Sequence, residues 1–391
     1  MNLFQHVVPG IGDGSRGGIR GHGIAGHGIA PGPACGKVVL KRFNERAART
    51  CFPCPFRVCG GAAAIPLREP AAQRPGRGSA GEDARRGRLL GDRRRRGGEV
   101  KLAPGDLVAI VAPSGPVGAA ALRRGVAILK GWGLRVRVAP HVAAVSGYLA
   151  GPDAARAADF TEAWTDPRVR GVLCARGGYG AQRMLDLIDW ERLRQAGPKV
   201  FVGSSDITAL HAALAHHLGQ VTYFGPMPAG TALSRDRLTA DTLHRALFTG
   251  LDALRAPAGE ALVPGTARGV LHGGTITLLA TSLGAPEGAP PAGDRIVFLE
   301  DVTEAPYRLD RSLTQLLRAG WFEGVTGIVL GSFVDCGPEE ELRAMLTDRL
   351  GPLGVPILWG FPAGHGPTQL TLPFGVRAEL STATATLRFF G

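Results

Sequence analysis

The chain has 391 residues, 45% of them hydrophobic and 20% charged, which is enough for two or three globular domains with a large core. Residues 1–100 contain 18 Lys and Arg against 7 Asp and Glu, so they carry +11 of the net charge of +12 and leave residues 101–391 close to neutral. The near-neutral body argues against a nucleic-acid groove, and because no run of 18 apolar residues occurs we expect no membrane-spanning segment.

Residues 1–100 differ in composition from the rest of the chain. They are rich in Arg, Gly, Ala and Pro, they repeat Gly-His-Gly-Ile-Ala at 21–25 and 26–30, and they show no sustained helical or strand period. Such a segment cannot bury enough apolar surface to offset the entropy of ordering, so we expect it to be disordered. An over-extended start of the reading frame would explain it, and a basic arm for nucleic acid is the less favoured alternative. It lacks the apolar core of a secretory signal.

The six cysteines predict neither a metal site nor a disulfide framework. Four of them fall in residues 1–100, where Cys51 and Cys54 have the spacing of zinc ligands but no second pair. Cys174 and Cys336 are far apart in sequence and are predicted to be buried thiols. This usage is typical of a reducing cytoplasm.

From Leu102 onwards, apolar runs and helical patterns alternate regularly. Strands are predicted at 107–111, 134–138, 169–175, 199–202 and 221–224, and helices up to about 130, at 153–164, from 181 past 190, at 207–218 and near 239–249. This alternation predicts that residues 101–250 form an N-terminal α/β domain, a Rossmann- or flavodoxin-like parallel sheet flanked by helices. Active sites in such sheets lie at the carboxyl ends of the strands.

The pattern changes in the second half of the chain. Residues 251–268 are rich in Ala, Pro and Gly and are predicted to be a linker. Residues 269–391 are predicted to form a smaller, mixed α/β C-terminal domain. Its predicted strands lie at 296–299, 327–330, 356–358, 378–380 and 384–389, and its predicted helices near 306–319 and 339–350.

The stretch Gly203-Ser204-Ser205-Asp206 connects a predicted strand to a predicted helix. A serine in such a turn can expose its hydroxyl in front of the helix amides, where the helix dipole favours a developing oxyanion. The simpler alternative is that one of these side chains caps the helix. The remainder of the chain favours Ser205 as a nucleophile.

Glu300 and His365 also stand where predicted strands give way to loops. The chain order Ser205, Glu300, His365 fits a hydrolytic triad that is completed across two domains. His365 would accept the serine proton, and Glu300 would hold the imidazole; the alternative for Glu300 is a solvated strand end. Backbone N–H groups of Gly178 and Asp206 would supply the oxyanion hole. No metal or cofactor is predicted, because an imidazole activates the nucleophile.

Other polar stretches are less favoured as catalytic, metal-binding or nucleotide-binding sites. Leu271-His272-Gly273-Gly274 is like the oxyanion loop of esterases but follows the serine, so a close-packed turn is predicted. His211, His216 and His217 lack neighbouring carboxylates and are predicted to be packing or surface residues. The stretch 176–180 matches no nucleotide-binding pattern.

Six motifs occur in an order that resembles one known family. They are Ala112-Pro-Ser-Gly-Pro116, Arg176-Gly-Gly-Tyr-Gly180, Gly203-Ser-Ser-Asp-Ile-Thr208, Phe298-Leu-Glu-Asp-Val302, Glu304-Ala-Pro-Tyr-Arg308 and Gly360-Phe-Pro-Ala-Gly-His-Gly366. Over residues 101–391 the chain resembles the LD-carboxypeptidases, the muramoyltetrapeptide carboxypeptidases of murein recycling. The resemblance implies a metal-free, cytoplasmic and commonly dimeric serine peptidase that releases terminal D-alanine from a murein tetrapeptide. It assigns the nucleophile to Ser205, the acid to Glu300 and the base to His365.

Several alternatives stay open within this resemblance. Glu304 rivals Glu300, which we prefer because it ends a buried strand, whereas Glu304 precedes a helix that Pro306 begins. Ser204 stands where the family often has a bulky residue, and Thr275 where it has asparagine. A relative that cleaves peptidyl-nucleotide antibiotics of the microcin C type is the second choice of function. A non-catalytic binding module on the same scaffold is the third.

Overall fold

The computed structural model describes residues 100–390, and the predicted disordered segment lies outside them except for its last residue. The described residues belong to one compact unit that contains two β-sheets. Their α-helices are α1 (Ala119–Gly131), α2 (Asp153–Thr165), α3 (Trp190–Ala196), α4 (Thr208–Leu218), α5 (Ala232–Arg235), α6 (Arg237–Phe248), α7 (Ile276–Thr281), α8 (Pro306–Arg318) and α9 (Glu339–Leu350). None of these is both long enough and apolar enough to cross a bilayer.

The first sheet has six strands, and five of them come from the predicted N-terminal domain. They are β1 (Leu107–Val111), β2 (Arg135–Val138), β3 (Val169–Cys174), β4 (Val200–Gly203) and β5 (Thr222–Phe224), with β12 (Leu372–Phe374) added from near the C-terminus. The spatial order is β12-β5-β4-β3-β1-β2. The predicted parallel sheet is confirmed, because every pair is parallel except β12 with β5.

One predicted helix of the first half is divided in two. The sequence predicts a continuous helix from Ala181 past Trp190, but a 3-10 helix (Gln182–Leu187) and α3 are separated by Ile188 and Asp189. The Asp189 carboxylate accepts a hydrogen bond from the Arg192 amide at 3.0 Å. It therefore caps α3, and the helix starts afresh at that point.

The second sheet has eight strands and is mixed, as predicted. They are β6 (Ala253–Arg255), β7 (Glu260–Val263), β8 (Thr266–Thr275), β9 (Arg295–Val302), β10 (Val325–Val334), β11 (Ile357–Trp359), β13 (Arg377–Ser381) and β14 (Thr386–Phe390). The order is β6-β14-β13-β8-β9-β10-β11-β7, in which β8, β9, β10 and β11 run parallel and the outer strands antiparallel. Both β6 and β7 lie within residues 251–268, so this stretch contributes edge strands as well as connecting the halves.

The interpretation of residues 271–274 as a turn is wrong, because they lie inside β8. Gly273 and Gly274 have φ of 132° and 141°, an extended conformation of the opposite hand that only glycine adopts easily. A Cβ atom on Gly273 would lie 1.9 Å from the Phe298 carbonyl oxygen, and one on Gly274 would lie 2.5 Å from the Thr208 side chain. The expected close packing is therefore present, but in a strand that approaches both β9 and α4.

Three phenylalanines join the cores of the two sheets. Phe224 of β5 lies 5.3 Å, between ring centroids, from both Phe374 of β12 and Phe298 of β9. All three rings are buried. Such contacts stabilise by apolar burial and add about 0.5–1.5 kcal/mol per aromatic pair, so the two sheets share one continuous apolar region.

Candidate active site

Ser205 occupies a sharp turn between β4 and α4. Its φ is 63°, in the left-handed region that non-glycine residues rarely enter and that costs about 1–3 kcal/mol. Glycines make room on both sides, because a Cβ on Gly203 would lie 2.4 Å from the Ile207 side chain and one on Gly177 would lie 2.7 Å from Ser205 Cβ. Ser205 is partly exposed whereas Ser204 is buried. The geometry is that of a strained nucleophile turn.

The capping alternative for this stretch is not supported. Ser204 makes no side-chain hydrogen bond at the start of the helical turn. The buried Asp206 carboxylate instead accepts hydrogen bonds from Ser114 Oγ at 2.6 Å and from the Ala181 amide at 2.8 Å. It thereby fastens the loops that follow β1 and β3 to the Ser205 turn. Sequence reasoning missed this role of Ser114, which lies 92 residues away and inside a short Pro/Gly-rich loop.

The loop after β3 supplies the backbone that faces the serine. Gly177 lies against Ser205, and the next residue, Gly178, has φ of 127° and packs against Gly115. Among the residues that the structure describes, the Gly178 N–H donates no hydrogen bond. One of the two amides predicted for an oxyanion hole, that of Gly178, is thus free to donate to a ligand, and the other, that of Asp206, directly follows Ser205.

Glu300 and His365 form a hydrogen-bonded pair at the carboxyl edge of the second sheet, in which the acid is buried and the imidazole is partly exposed. Glu300 of β9 is fully buried, and its Oε2 accepts a hydrogen bond of 2.6 Å from His365 Nδ1. Its Oε1 accepts one of 2.5 Å from the Thr275 hydroxyl. The loop that carries His365 is held by Ser332, whose Oγ accepts from the His365 amide at 2.7 Å. Since a carboxylate can only accept from Nδ1, Nε2 is the nitrogen left to take a proton.

The surroundings of His365 favour its charged form. Burial lowers the pKa of His365, but its hydrogen bond to Glu300 and the charges of Glu300 and Asp301 outweigh burial, so the net pKa lies above the usual 6.5. Burial also raises the pKa of Asp301 to about 6, against the effect of its hydrogen bonds from Thr277. Because both acids are buried, the alternative of a solvated strand end is wrong.

Glu304, the rival acid, lies elsewhere. It pairs with Arg308 at 3.6 Å where α8 begins, and the His365 imidazole bonds to Glu300 instead. Within residues 100–390 no hydrogen bond joins Ser205 to His365. The structure therefore brings Glu300 and His365 together, with no hydrogen bond in the described part of the chain from Ser205 to either of them.

A chain of hydrogen bonds nevertheless connects the Ser205 helix to the buried acid. Thr208 begins α4, and its Oγ1 accepts a hydrogen bond of 3.1 Å from the Thr275 amide. The Thr275 hydroxyl in turn donates to Glu300. The sequence showed Thr275 only as a substitute for an expected asparagine; its contact with the acid was not predicted.

The histidines of α4 are not part of a metal site. His211 is buried behind the serine turn, where Nε2 donates to the Gly203 carbonyl at 2.9 Å and Nδ1 accepts from the Thr222 hydroxyl at 2.7 Å. Burial lowers its pKa to about 4, so it is neutral near pH 7. His217 stacks on Trp190 at 4.4 Å. The described part of the chain contains no cluster of His, Cys, Asp or Glu able to hold a metal ion.

The two cysteines of the described residues are buried free thiols, as predicted. Burial raises the pKa of Cys336 to about 11 and also raises that of Cys174, so neither thiol is activated.

Two family profiles match the sequence, one to each half. The LD-carboxypeptidase N-terminal domain matches residues 108–225, and the LD-carboxypeptidase C-terminal domain matches residues 268–380. The first includes Ser205, and the second includes Glu300 and His365.

Individual relatives match over nearly their whole length. A Streptomyces coelicolor protein whose name describes a carboxypeptidase is 54% identical over 73% of this chain and 94% of its own. The murein tetrapeptide carboxypeptidase of Pseudomonas aeruginosa is 33% identical over 70% of this chain and 92% of its own. The crystal structure of muramoyltetrapeptide carboxypeptidase from Oxalobacter formigenes has 31% identity and a TM-score of 0.64, over 72% of this chain and 97% of that one. The microcin C7 self-immunity protein MccF, 22% identical with a TM-score of 0.68, covers 75% of this chain and 98% of its own and shows a shared fold alone.

Proposed function

Because this chain belongs to the LD-carboxypeptidase family of serine peptidases, we propose that it hydrolyses the L,D peptide bond of murein tetrapeptides and releases their terminal D-alanine in cell-wall recycling. The observation that carries the proposal is the 2.6 Å hydrogen bond between His365 and the fully buried Glu300. A buried carboxylate that orients an imidazole is the pairing that a general base requires. The Pseudomonas relative, named for murein tetrapeptides, supports the substrate.

In the proposed mechanism Ser205 Oγ attacks the scissile carbonyl carbon and transfers its proton to His365 Nε2. The tetrahedral intermediate then collapses, the C–N bond breaks, and His365 returns the proton to the departing amine of D-alanine. Water repeats the sequence on the acyl-enzyme and regenerates the serine. Glu300 maintains the Nδ1–H tautomer and stabilises the imidazolium. We propose that bound substrate brings Ser205 and His365 together, as catalytic hydrogen bonds often tighten in the complex.

The amides of Gly178 and Asp206 are the proposed donors to the oxyanion. The Gly178 N–H supports this assignment because it makes no hydrogen bond within the described residues and directly follows Gly177, which contacts Ser205. Removing one such donor typically costs about 10²- to 10³-fold in kcat. In this proposal the predicted domains, residues 101–250 and 269–391, supply the nucleophile and the acid–base pair respectively.

We further propose that the enzyme works as a cytoplasmic homodimer. The buried, unpaired thiols of Cys174 and Cys336 suit a reducing compartment. Fractionation of cells and sedimentation of the purified chain would test the compartment and the dimer separately.

The direct test is to incubate the full chain with a murein tetrapeptide and to measure free D-alanine. A tetrapeptide with L-alanine at its C-terminus is the stereochemical control, and Ser205→Ala is the catalytic control. We expect the chain with Ser205 to release free alanine from the peptide that ends in D-alanine and none from the peptide that ends in L-alanine, and we expect Ser205→Ala to release alanine from neither. Hydrolysis of a microcin C-type peptidyl-nucleotide without hydrolysis of the tetrapeptide would change the assigned function to antibiotic immunity. Hydrolysis of neither substrate would indicate a binding module.

A further inference from the structure

A guanidinium group with spare donors lies in the loop that faces Ser205. Arg176 Nε donates to the Gly177 carbonyl at 3.1 Å, and Nη1 donates to the Pro116 carbonyl at 3.1 Å. These two backbone acceptors fix the plane of the group while using two of its five N–H donors. The side chain is exposed, and no carboxylate of the described residues pairs with it.

The loop that carries this guanidinium contacts the proposed nucleophile. The adjoining Gly177 lies so near that a Cβ on it would be 2.9 Å from Ser205 Oγ. A Cβ on Gly178, whose amide is a proposed oxyanion donor, would be 3.9 Å from Arg176 Nη2. Arg176 is therefore carried by the same rigid loop that contacts the serine.

Three other arginines, unlike Arg176, already have a carboxylate partner. Arg183 pairs with Asp153 at 2.8 Å, and Arg308 pairs with Glu304 at 3.6 Å. Arg156 is buried and also contacts Asp153. A positive charge that is oriented but has no carboxylate partner suits an anionic group brought in by a ligand.

We propose that Arg176 binds the α-carboxylate of the substrate's C-terminal residue and so restricts this enzyme to the ends of peptides. The inference rests on the proposed carboxypeptidase function and assigns its specificity. In a carboxypeptidase substrate the free carboxylate belongs to the residue that follows the scissile bond, and successive Cα atoms are about 3.8 Å apart. Arg176 directly precedes Gly177, the residue in contact with Ser205, and its side chain is long enough to reach a carboxylate bound beside the serine.

The test compares one tetrapeptide as its free acid and as its C-terminal amide. For the full chain we expect kcat/KM to favour the acid by about 10- to 100-fold, the range of a hydrogen bond to a charged group. Arg176→Gln should remove this preference by lowering kcat/KM for the acid, mainly through KM, while the amide changes by less than about threefold. Arg176→Lys should keep part of the preference, since it retains the charge without the planar fork.

Arg308→Gln is the matched control, because it removes an arginine that already has a carboxylate partner, and its acid-to-amide ratio should stay unchanged. A readout that needs no turnover is the affinity for the free-acid tetrapeptide, compared between the single variant Ser205→Ala and the double variant that also carries Arg176→Gln. The proposal is overturned if Arg176→Gln keeps the preference for the free acid over the amide, or if it lowers kcat/KM equally for both. A wild-type chain that cleaves neither peptide would instead refute the proposed function itself.

Discussion

Both oxygens of the Glu300 carboxylate have a donor, His365 on one side and Thr275 on the other. This matters because an ionised carboxylate removed from water is costly unless it is fully hydrogen-bonded. The arrangement leaves one function for each atom of the pair: Oε1 anchors the acid, Oε2 orients the imidazole, and Nε2 is available for proton transfer.

Ser205, His365 and Glu300 should act as a unit, so removing them should not be additive. Ser205→Ala and His365→Ala should each lower kcat by about 10⁴-fold or more, and the double variant should be little worse, because the surviving partner has nothing to activate. Glu300→Gln should be milder. Steady-state release of D-alanine measures all four.

The control for that series is the neighbouring serine. Ser204→Ala should stay within about tenfold of the wild type, because Ser204 is buried and lacks the left-handed conformation of Ser205. An inactive Ser204→Ala beside an active Ser205→Ala would show that the nucleophile is misassigned.

The pH dependence of kcat/KM should report the pKa of His365. The base must be neutral to accept a proton, so the rate should rise with pH through a pKa above 6.5. Glu300→Gln removes the Glu300 charge and its charge-assisted hydrogen bond, which raise this pKa more than the remaining charge of Asp301 does, and it leaves burial, which lowers the pKa. The acid limb of the profile should therefore move to lower pH.

Glu304→Gln is the matched variant for the pH experiment. It removes a nearby carboxylate that pairs with Arg308 and not with His365, so its acid limb should coincide with that of the wild type. A shift in Glu304→Gln with none in Glu300→Gln would reverse the choice of acid.

At the scale of the elements, Thr275 connects three of them: it ends β8, its amide bonds to Thr208 of α4, and its hydroxyl bonds to Glu300 of β9. Thr275→Val keeps the shape but leaves a buried carboxylate oxygen without its donor, at a cost of about 1–3 kcal/mol. We expect kcat to fall by about tenfold with KM unchanged. Thr275→Ser should restore kcat, and a Val variant as active as wild type would refute this positioning role.

Helices with clear apolar periodicity could be predicted from the sequence, whereas several strands, the ten-residue β8 among them, could not. The helices α8 and α9 begin and end within one residue of their predicted bounds, because apolar periodicity and flanking Pro or Gly mark them. The strands β6, β7 and β12 have three or four residues each and no signal of their own. They exist because a partner strand offers hydrogen bonds, and pairing partners are not visible in a single sequence.

The site was predictable to a similar extent. Its three principal residues, Ser205, Glu300 and His365, all follow or end predicted strands. The clamp between Asp206 and Ser114 was not predictable, because it joins residues 92 positions apart through ordinary side chains. Arg176 was visible as part of a motif. Only the structure shows that no carboxylate of the described residues pairs with it.

At the scale of the whole molecule, residues 100–390 contain both sheets and every site residue discussed above. Deleting residues 1–99 should therefore leave turnover and the thermal unfolding midpoint essentially unchanged, although the deletion removes most of the net positive charge. The comparison is between the full and shortened chains under the same salt conditions. A shortened chain that fails to fold would show that residues 1–99 contribute to the core.

The return of β12 to the first sheet has a consequence for synthesis. The edge of β5 stays open until residues 372–374 have left the ribosome, and Phe224 lacks its Phe374 neighbour until then. The sheet that carries Ser205 is thus finished only after β12 has been made, long after its other five strands. A nascent or prematurely terminated chain that lacks β12 therefore presents Ser205 on an incomplete sheet, even when it already contains His365.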